Sequence, residues 1–290
     1  MSEDPTRDAV SQLVALLDIE RIEETLFRGQ SGSVGFRRIF GGQVLAQALI
    51  AGLRSVAPER SVHSLHGYFI LPGDLREPII YEVENLRDGG SFSTRRVKAI
   101  QHGKVIFVMV ASFHRSEDGL DHGAAMPDVP PPNELKSGHE LFAGEFANLP
   151  QSMQRFWKRF HSIDFRPVDI CRYMDRKQRK PVQHIWFKAA DVLPDKPEVH
   201  VGLLAYASDF ALLETALVAH GKLLSDPDVR LASLDHALWF HRPFQADQWL
   251  LYSLDSPSSS GARGFCRGQI FTEDGKLVAS SAQEGLMRIG

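Results

Sequence analysis

The chain contains an internal repeat, and this feature constrains its fold more than any other. The segment Ser64–Pro72 returns as Ser233–Pro243, and Ala48–Gly52 returns as Ala216–Gly221. The corresponding segments recur in the same order at an offset of about 170 residues. Solenoid repeats recur every ~20–50 residues. The longer period therefore indicates one domain that was duplicated and fused.

Composition narrows the class of protein. The length of 290 residues predicts about two domains, and 43% apolar with 24% charged residues is ordinary for a globular protein. The net charge of −3, without a long run of Lys or Arg, offers no electrostatic footprint for nucleic acid. The two cysteines, Cys171 and Cys266, are too few for a disulfide framework or a Cys-based zinc site.

Targeting segments are not evident. The N-terminus has no basic region followed by an apolar run, so no secretory signal is expected. No apolar stretch approaches the ~18 residues that a membrane span needs. We therefore expect no membrane span and a cytoplasmic protein.

Each half predicts one helix followed by four strands. Strands are expected at 62–71, 78–87, 91–101 and 104–114, and again at 231–242, 248–255, 262–271 and 276–288. Helices are expected over 9–28, after Gly41, from about Ser208 to His220, and near Met153–Phe160 in a linker. Without βαβ alternation, this order predicts an α+β fold with antiparallel sheets. Because each sheet leaves unpaired edges, the two could join into one continuous sheet.

Domain boundaries follow from a proline-rich stretch. Residues Met126–Pro132 cannot continue a helix or a central strand. We expect an N-terminal repeat over 1–115, a linker over 116–165 and a C-terminal repeat over 166–290.

Several kinds of chemistry are disfavoured. The segment Gly29–Ser33 fails the G-x-S-x-G pattern at its last position. The dinucleotide and P-loop glycine patterns and H-E-x-x-H are missing. His63 and His66 would point to opposite faces of a strand. We therefore expect no covalent serine nucleophile, no cofactor and no metal.

The two copies differ at polar positions. Asp209 opens the predicted second helix, where an acid suits the N-cap, and the first half has Gly41 there. Gln283 interrupts an apolar strand face where the first half has Ala111. Ser233 opens a strand and matches Ser64. Each alone has an ordinary structural interpretation.

Together these three side chains suit hydrolysis. A carboxylate can accept a proton from water while a hydroxyl and an amide fix its direction. A thioester fits such a site, because its thiol leaving group, with a pKa of about 8.5, departs without a strong acid.

At these residues the chain resembles the acyl-CoA thioesterase II family, whose bacterial members are called TesB-like. The resemblance runs over nearly the whole length. It is carried by Leu26–Gln30, Phe40–Gln43, Asn85–Gly89, Tyr206–Asp209, Leu234–Phe244, Ala262–Phe265 and Gln283–Gly285.

The resemblance implies a double hotdog fold, in which two fused repeats each wrap a long helix in a curved antiparallel sheet. It implies hydrolysis of fatty acyl-CoA to fatty acid and CoA, with the water-orienting triad on Asp209, Ser233 and Gln283. It also implies a homodimer or homotetramer. The Gly41–Gly42 amides are expected to polarise the carbonyl. One departure is Leu71, where the family usually has an Arg that could touch the CoA phosphates.

Two alternatives stay open. Hotdog enoyl-CoA hydratases and dehydratases pair an Asp with a nearby His, whereas Asp209 is followed by no His before His220. A non-catalytic acyl-CoA binding module would bind the ester without releasing thiol. Since only the second half carries the trio, one active site per chain is expected.

Overall fold

A computed structural model describes residues 5–32, 38–144, 161–174 and 176–290. Helix α1 (Pro5–Leu17) is followed by strands β1 (Glu20–Glu23) and β2 (Leu26–Gly29). The predicted helix over 9–28 is therefore wrong beyond Leu17. Its apolar stripe ends there, because Ile22 is exposed rather than packed.

The first repeat follows the predicted order closely. Helix α2 spans Gly41–Leu53 and is buried from Gly42 to Gly52, as expected for a helix enclosed by a sheet. Strands β3 (Arg60–Phe69), β4 (Ile79–Asp88), β5 (Phe92–Gln101) and β6 (Lys104–Arg115) come next. His102 and Gly103 both have positive φ, the requirement of the tight turn that joins β5 to β6.

The linker packs against the outside of the second repeat. It contains a 3₁₀ turn (Pro132–Glu134) and helix α3 (Gly138–Ala143), which begins with a capping box. The indole of Trp186 donates to the carbonyl of Pro130 at 2.9 Å. The predicted linker helix near Met153–Phe160 lies outside the described residues.

The second repeat contains more elements than the first. Strand β7 (Ile163–Pro167) crosses the boundary that the sequence places after residue 165. The remaining elements are α4 (Cys171–Met174), β8 (Val182–Ala189), α5 (Pro197–Ser208), α6 (Thr215–Val218), β9 (Val229–Ser233), β10 (Asp235–Phe240), β11 (Leu250–Ser260), β12 (Arg263–Thr272) and β13 (Leu277–Ile289).

The predicted helix from Ser208 to His220 is wrong. Proline at the first position begins α5 earlier, at Pro197, and the helix ends where the Ser208 hydroxyl donates to the carbonyl of Ala205. Gly41 and Pro197, the helix starts, are 156 positions apart, whereas the matching strands are about 170 apart. The extra residues after α5 form the turns that begin at Asp209 and the short helix α6.

One antiparallel sheet runs through the whole molecule. Its order is β1-β2-β4-β5-β6-β3-β10-β13-β12-β11-β8-β7, with β9 also pairing with β13. The two repeats meet at β3 and β10, where Gly67 pairs with its own repeat counterpart, His236. The two halves of the strand order therefore mirror each other about this pair, and the predicted continuous sheet is confirmed.

The two long helices lie antiparallel beneath the sheet. Ile50 of α2 lies against Gly202 of α5, and Arg54 after α2 pairs with Glu198 near the start of α5. The N-terminus of α2 consequently meets the C-terminus of α5. Among the described residues, no helix is long and apolar enough to span a membrane.

The close packing at the junction of the repeats can be tested by substitution of Gly67. A Cβ at Gly67 would lie 2.4 Å from the buried Phe107 ring, so Gly67→Ala should lower the free energy of unfolding by about 1–3 kcal/mol. Gly90→Ala is the control, because nothing lies within 4 Å of its Cβ position. Urea denaturation measures both, and equal stabilities would contradict this packing.

Candidate active site

Asp209 lies where the two helices meet, and its side chain is 5% exposed. It forms the C-cap of α5 rather than the predicted N-cap of a following helix. A helix C-terminus is unfavourable for a carboxylate, but the N-terminus of α2 faces the same group. The first turn of α2 has no acidic residue, and its N-cap, Phe40, makes no side-chain capping bond. Asp209 thus supplies to α2 the negative charge that α2 lacks.

Glycine at the start of α2 allows this close approach. A Cβ at Gly41 would lie 2.7 Å from Asp209 Oδ2, and one at Gly42 would lie 2.4 Å from the carbonyl oxygen of Tyr206. Gly41 is not the repeat counterpart of Asp209 that the sequence predicts, because Gly41 begins α2 whereas Asp209 caps the C-terminus of α5. The two residues come from different repeats and are in contact.

Three donors surround the carboxylate. Gln283 Nε2 donates to Asp209 Oδ1 at 2.7 Å, and the backbone N–H of Gly42 donates to the carboxylate. Ser233 Oγ lies 3.5 Å from the same Oδ1, which is long for a hydroxyl donor. The three predicted side chains are therefore brought together, with the serine the most loosely held.

The strands of the second repeat place these donors. Ser233 ends β9 opposite Gly285 of β13, and Gln283 lies two residues before Gly285. Because side chains alternate along a strand, Gln283 and Gly285 face the same side. Gln283 is buried, and it reaches Asp209 from beneath the sheet face.

Burial raises the pKa of Asp209 to about 6, and the hydrogen bonds from Gln283, Gly42 and Ser233 oppose that rise. Desolvation disfavours the charged carboxylate, whereas donors stabilise it. Here desolvation dominates. A carboxyl with a pKa near neutrality can take a proton from water and release it again.

A pocket of about 210 Å³ opens beside this carboxylate. Asp209 and Ser233 line it, whereas Gln283 supports Asp209 from behind the wall. Much of the wall is apolar, formed by Ile39, Phe40, Phe210, Leu213, Leu224 and Leu231. Within the described ranges, no group of three or more His, Cys, Asp or Glu is placed to hold a metal ion.

One residue beside Asp209 was missed by the sequence comparison. His236 Nδ1 lies 3.8 Å from Asp209 Oδ1, and its side chain is fully buried. No His follows Asp209 closely in the sequence, but the fold brings His236 beside it. The signal was available, because His236 replaces Gly67 at the same repeat offset, just as Gln283 replaces Ala111.

Arg242 is the counterpart of Leu71 in the second repeat, and it has a structural role. Arg242 donates to the carbonyls of Leu277 and His122, at 2.7 and 2.8 Å, and pairs with Asp121. Arg242 therefore binds the linker to strand β13 of the sheet.

Comparison with known proteins identifies the family. Residues 28–114 match the model of the acyl-CoA thioesterase N-terminal domain, and residues 161–286 match the acyl-CoA thioesterase model. This chain belongs to the acyl-CoA thioesterase II family. Membership confirms the resemblance seen in the sequence and the predicted enzyme class, an acyl-CoA thioester hydrolase.

Relatives match the enzyme along nearly its full length. Acyl-CoA thioesterase 2 of Haemophilus influenzae is 38% identical, and the alignment covers 97% of this chain and 98% of that protein. Acyl-coenzyme A thioesterase 8 of Homo sapiens is 39% identical, with 99% and 92% covered.

Solved structures support the fold. The acyl-CoA thioesterase II TesB2 from Mycobacterium marinum has a TM-score of 0.80 and 42% identity, with 95% of this chain and 98% of that chain covered. A protein of unknown function with a hot dog fold from Alicyclobacillus acidocaldarius has a TM-score of 0.77 at 19% identity, with 96% and 98% covered. The double hotdog prediction is confirmed.

The raised pKa of Asp209 predicts a pH-dependent stability. A carboxyl that binds its proton more tightly when folded contributes stability below about pH 4, which is lost as the pH rises to about 6. At roughly 1.4 kcal/mol for each pKa unit, the loss approaches about 3 kcal/mol. Asp209→Asn removes this titration, so its free energy of unfolding relative to the unaltered enzyme should rise between pH 4 and 6.

Urea denaturation of both proteins across pH 4–8 measures this difference. The other titrating groups cancel, because both proteins contain them. A difference that stays constant with pH would show that Asp209 has an ordinary pKa in the folded enzyme.

Proposed function

We propose that the enzyme hydrolyses fatty acyl-CoA by direct attack of a water that Asp209 activates. The 2.7 Å contact between Gln283 Nε2 and Asp209 Oδ1 carries this assignment, because it holds the carboxylate at the pocket wall. A base in this position takes one proton as the water oxygen attacks the thioester carbonyl carbon. No covalent intermediate with the protein is required.

Ser233 and Gln283 have different tasks in this proposal. Ser233 lines the pocket and is only loosely bound to Asp209, so its hydroxyl can bind the water as well. Gln283 is tightly bound and buried, and it orients the carboxylate. With the Gly42 N–H directed at Asp209, the neighbouring Gly41 N–H is our candidate for polarising the thioester carbonyl.

The reaction is completed without a second general acid. When the tetrahedral intermediate collapses, the C–S bond breaks and the electron pair leaves with sulfur. A thiolate is a good leaving group because its thiol is far more acidic than an alcohol. The proton on Asp209 then passes to the thiolate, which restores the carboxylate. The apolar wall beside Asp209 suits the fatty acyl chain.

The wider setting of the enzyme also remains a proposal. We propose a role in lipid metabolism in the cytoplasm, as a homodimer or homotetramer. In this proposal the water-activating residues belong to the C-terminal repeat (166–290), to which β7 adds residues 163–165. The N-terminal repeat (1–115) contributes Gly41 and Gly42, and the remainder of the predicted linker (116–165) joins the two. Each chain then has one active site.

Loss of the base should abolish most turnover. Asp209→Asn keeps the side-chain shape but cannot accept the proton, so kcat for a palmitoyl-CoA substrate should fall about 10²–10⁴-fold. Asp235→Asn is the matched control, because this nearby carboxylate accepts the Glu284 N–H and does not line the pocket. Thiol release measures both. Turnover by Asp209→Asn at the rate of the control would exclude the base role.

The same thiol-release assay separates the alternatives. A hydratase would add water to crotonyl-CoA without freeing thiol. A binding module would retain the ester unchanged.

The pH profile should reveal the same carboxyl group. Asp209 acts as a base only when ionised, so kcat/KM, which reports on the free enzyme, should rise with pH through about 6 and level off above it. This rise is the acid limb of the profile, and the residual activity of Asp209→Asn should lack it. The comparison separates the titration of Asp209 from that of the substrate phosphates, which both enzymes bind. A limb that persists unchanged in the variant would belong to another group.

A further inference from the structure

Behind Asp209 lies a buried group of polar side chains that the proposed mechanism has not used. His236 Nε2 lies 2.9 Å from Ser208 Oγ. The adjacent backbone carbonyl of Ser208 accepts a hydrogen bond from Tyr252 at 3.0 Å, and the Tyr252 hydroxyl also contacts Ser281 at 2.7 Å. All four side chains are buried.

The hydrogen bonds of Ser208 determine which nitrogen of His236 carries the proton. The Ser208 hydroxyl has one hydrogen, and it donates to the carbonyl of Ala205 at 2.8 Å. Its oxygen therefore accepts from His236, so Nε2 carries the N–H. In a neutral imidazole, Nδ1 is then a bare acceptor. Burial lowers the pKa of His236 to about 3, so the ring is neutral at physiological pH.

This leaves the Nδ1 lone pair in an unusual position. Nδ1 is fully buried and has no hydrogen-bond partner among the described residues, and Asp209 Oδ1 lies 3.8 Å away. Two acceptors that face each other gain nothing while Asp209 is ionised. Once Asp209 holds a proton, its carboxyl becomes a donor, and Nδ1 lies within a short closing movement of it.

We propose that His236 is a positioning residue for hydrolysis, whose bare Nδ1 accepts a hydrogen bond from the proton that Asp209 takes from water. This inference rests on the proposed base role of Asp209. The water loses a proton to Asp209, and its oxygen bonds to the carbonyl carbon. The C–S bond then breaks, and the proton leaves Asp209 for the thiolate. His236 stabilises only the protonated carboxyl between these events, and stabilisation of that kind lowers the barrier.

The internal repeat supports a specific role for this residue. The counterpart of His236 is Gly67, and the two are paired across the junction of β3 and β10. A Cβ at Gly67 would collide with the Phe107 ring, so apolar packing fills that position in the first repeat. The fold therefore tolerates a position without an imidazole, and the His occurs only in the repeat that carries Asp209.

Other titratable groups near Asp209 do not supply this function. Tyr206 on α5 and Tyr252 on β11 both sense its charge, and burial raises the pKa of each far above neutrality. Both phenols stay neutral over the pH range of the assay. Glu214 also lines the pocket, where its carboxylate is paired with Arg172 at 2.6 Å. The acid limb that disappears in Asp209→Asn therefore reports on Asp209 and the acceptor that faces it.

Two substitutions separate the two nitrogens. Asn places its amide near the position of Nδ1, and the carboxylate turns the amide N–H toward itself, so His236→Asn replaces the acceptor facing Asp209 with a donor. Gln reaches the position of Nε2, so His236→Gln keeps the donor to Ser208 and removes the acceptor. With the acyl-CoA used above, kcat of His236→Gln should fall about 10–100-fold with KM within about twofold, the effect of losing one buried hydrogen bond. His236→Asn should lose at least as much kcat, because its amide N–H stabilises the ionised carboxylate instead of the protonated one.

The pH profile gives a second readout that packing alone would not change. A bare acceptor beside the carboxylate disfavours its ionised form, so removing it in His236→Gln should move the acid limb to lower pH. His236→Asn adds a donor to the carboxylate and should move the limb further in the same direction. Losses of kcat in both variants with an unmoved limb would overturn the proposal and leave His236 a packing residue. Unchanged kcat in His236→Gln would overturn it as well.

Ser208→Ala keeps the test decisive if the His236 variants do not fold. Without the Ser208 oxygen, the imidazole proton can move to Nδ1 and donate to Asp209, which should lower the acid limb and kcat together. An unmoved limb would contradict the proposal. Asp209→Asn distinguishes a failure of the proposed base role from a failure of the proposed role of His236. If it retains turnover, the base role fails; if it is inactive while His236→Gln is unimpaired, only the role of His236 fails.

Discussion

A carboxylate can be buried only where donors replace the water it loses, and the join between the two repeats satisfies this condition. The Gly42 N–H comes from the start of α2, Gln283 comes from β13, and Ser233 ends β9. The donors belong to both repeats, so Asp209 is accommodated only when the helices lie antiparallel and the sheets are joined. Their stabilisation does not fully offset desolvation, and the pKa of Asp209 stays near 6. The same imbalance makes the carboxylate costly to the fold and useful as a base.

Duplication created this arrangement, and divergence of the copies made it reactive. One repeat supplies a helix start without side chains, since Gly41 and Gly42 leave room for the carboxylate and for α5. The other repeat ends its helix early and continues through the turns that begin at Asp209. Gln283 and His236 appear where the first repeat has Ala111 and Gly67. The first repeat therefore positions the base, and the second carries it.

Much of the fold and of the site could be predicted from the sequence. Alternating strand patterns and turn residues such as His102 and Gly103 are local signals, and seven of the eight strands predicted after the helices were placed within five residues. The eighth, over 231–242, is divided into β9 and β10, and β1, β2 and β7 were not predicted. The grouping of Asp209, Ser233 and Gln283 followed from comparing the copies and from the family resemblance. The second helix was misplaced, because the apolar run Phe210–Leu213 resembles a helix although it forms buried turns. His236 was missed because its importance depends on the hydroxyl of Ser208, a contact between distant strands and helices.

In the proposed mechanism, Asp209 activates water and never bonds to the acyl group. A single turnover in H₂¹⁸O, with enzyme in excess over acyl-CoA, tests it most directly when mass spectrometry reads both the fatty acid and the peptide that contains Asp209. We expect one ¹⁸O atom in the fatty acid and none in the peptide. An ¹⁸O atom in the Asp209 carboxyl, with none in the fatty acid of the first turnover, would contradict it and identify Asp209 as a nucleophile.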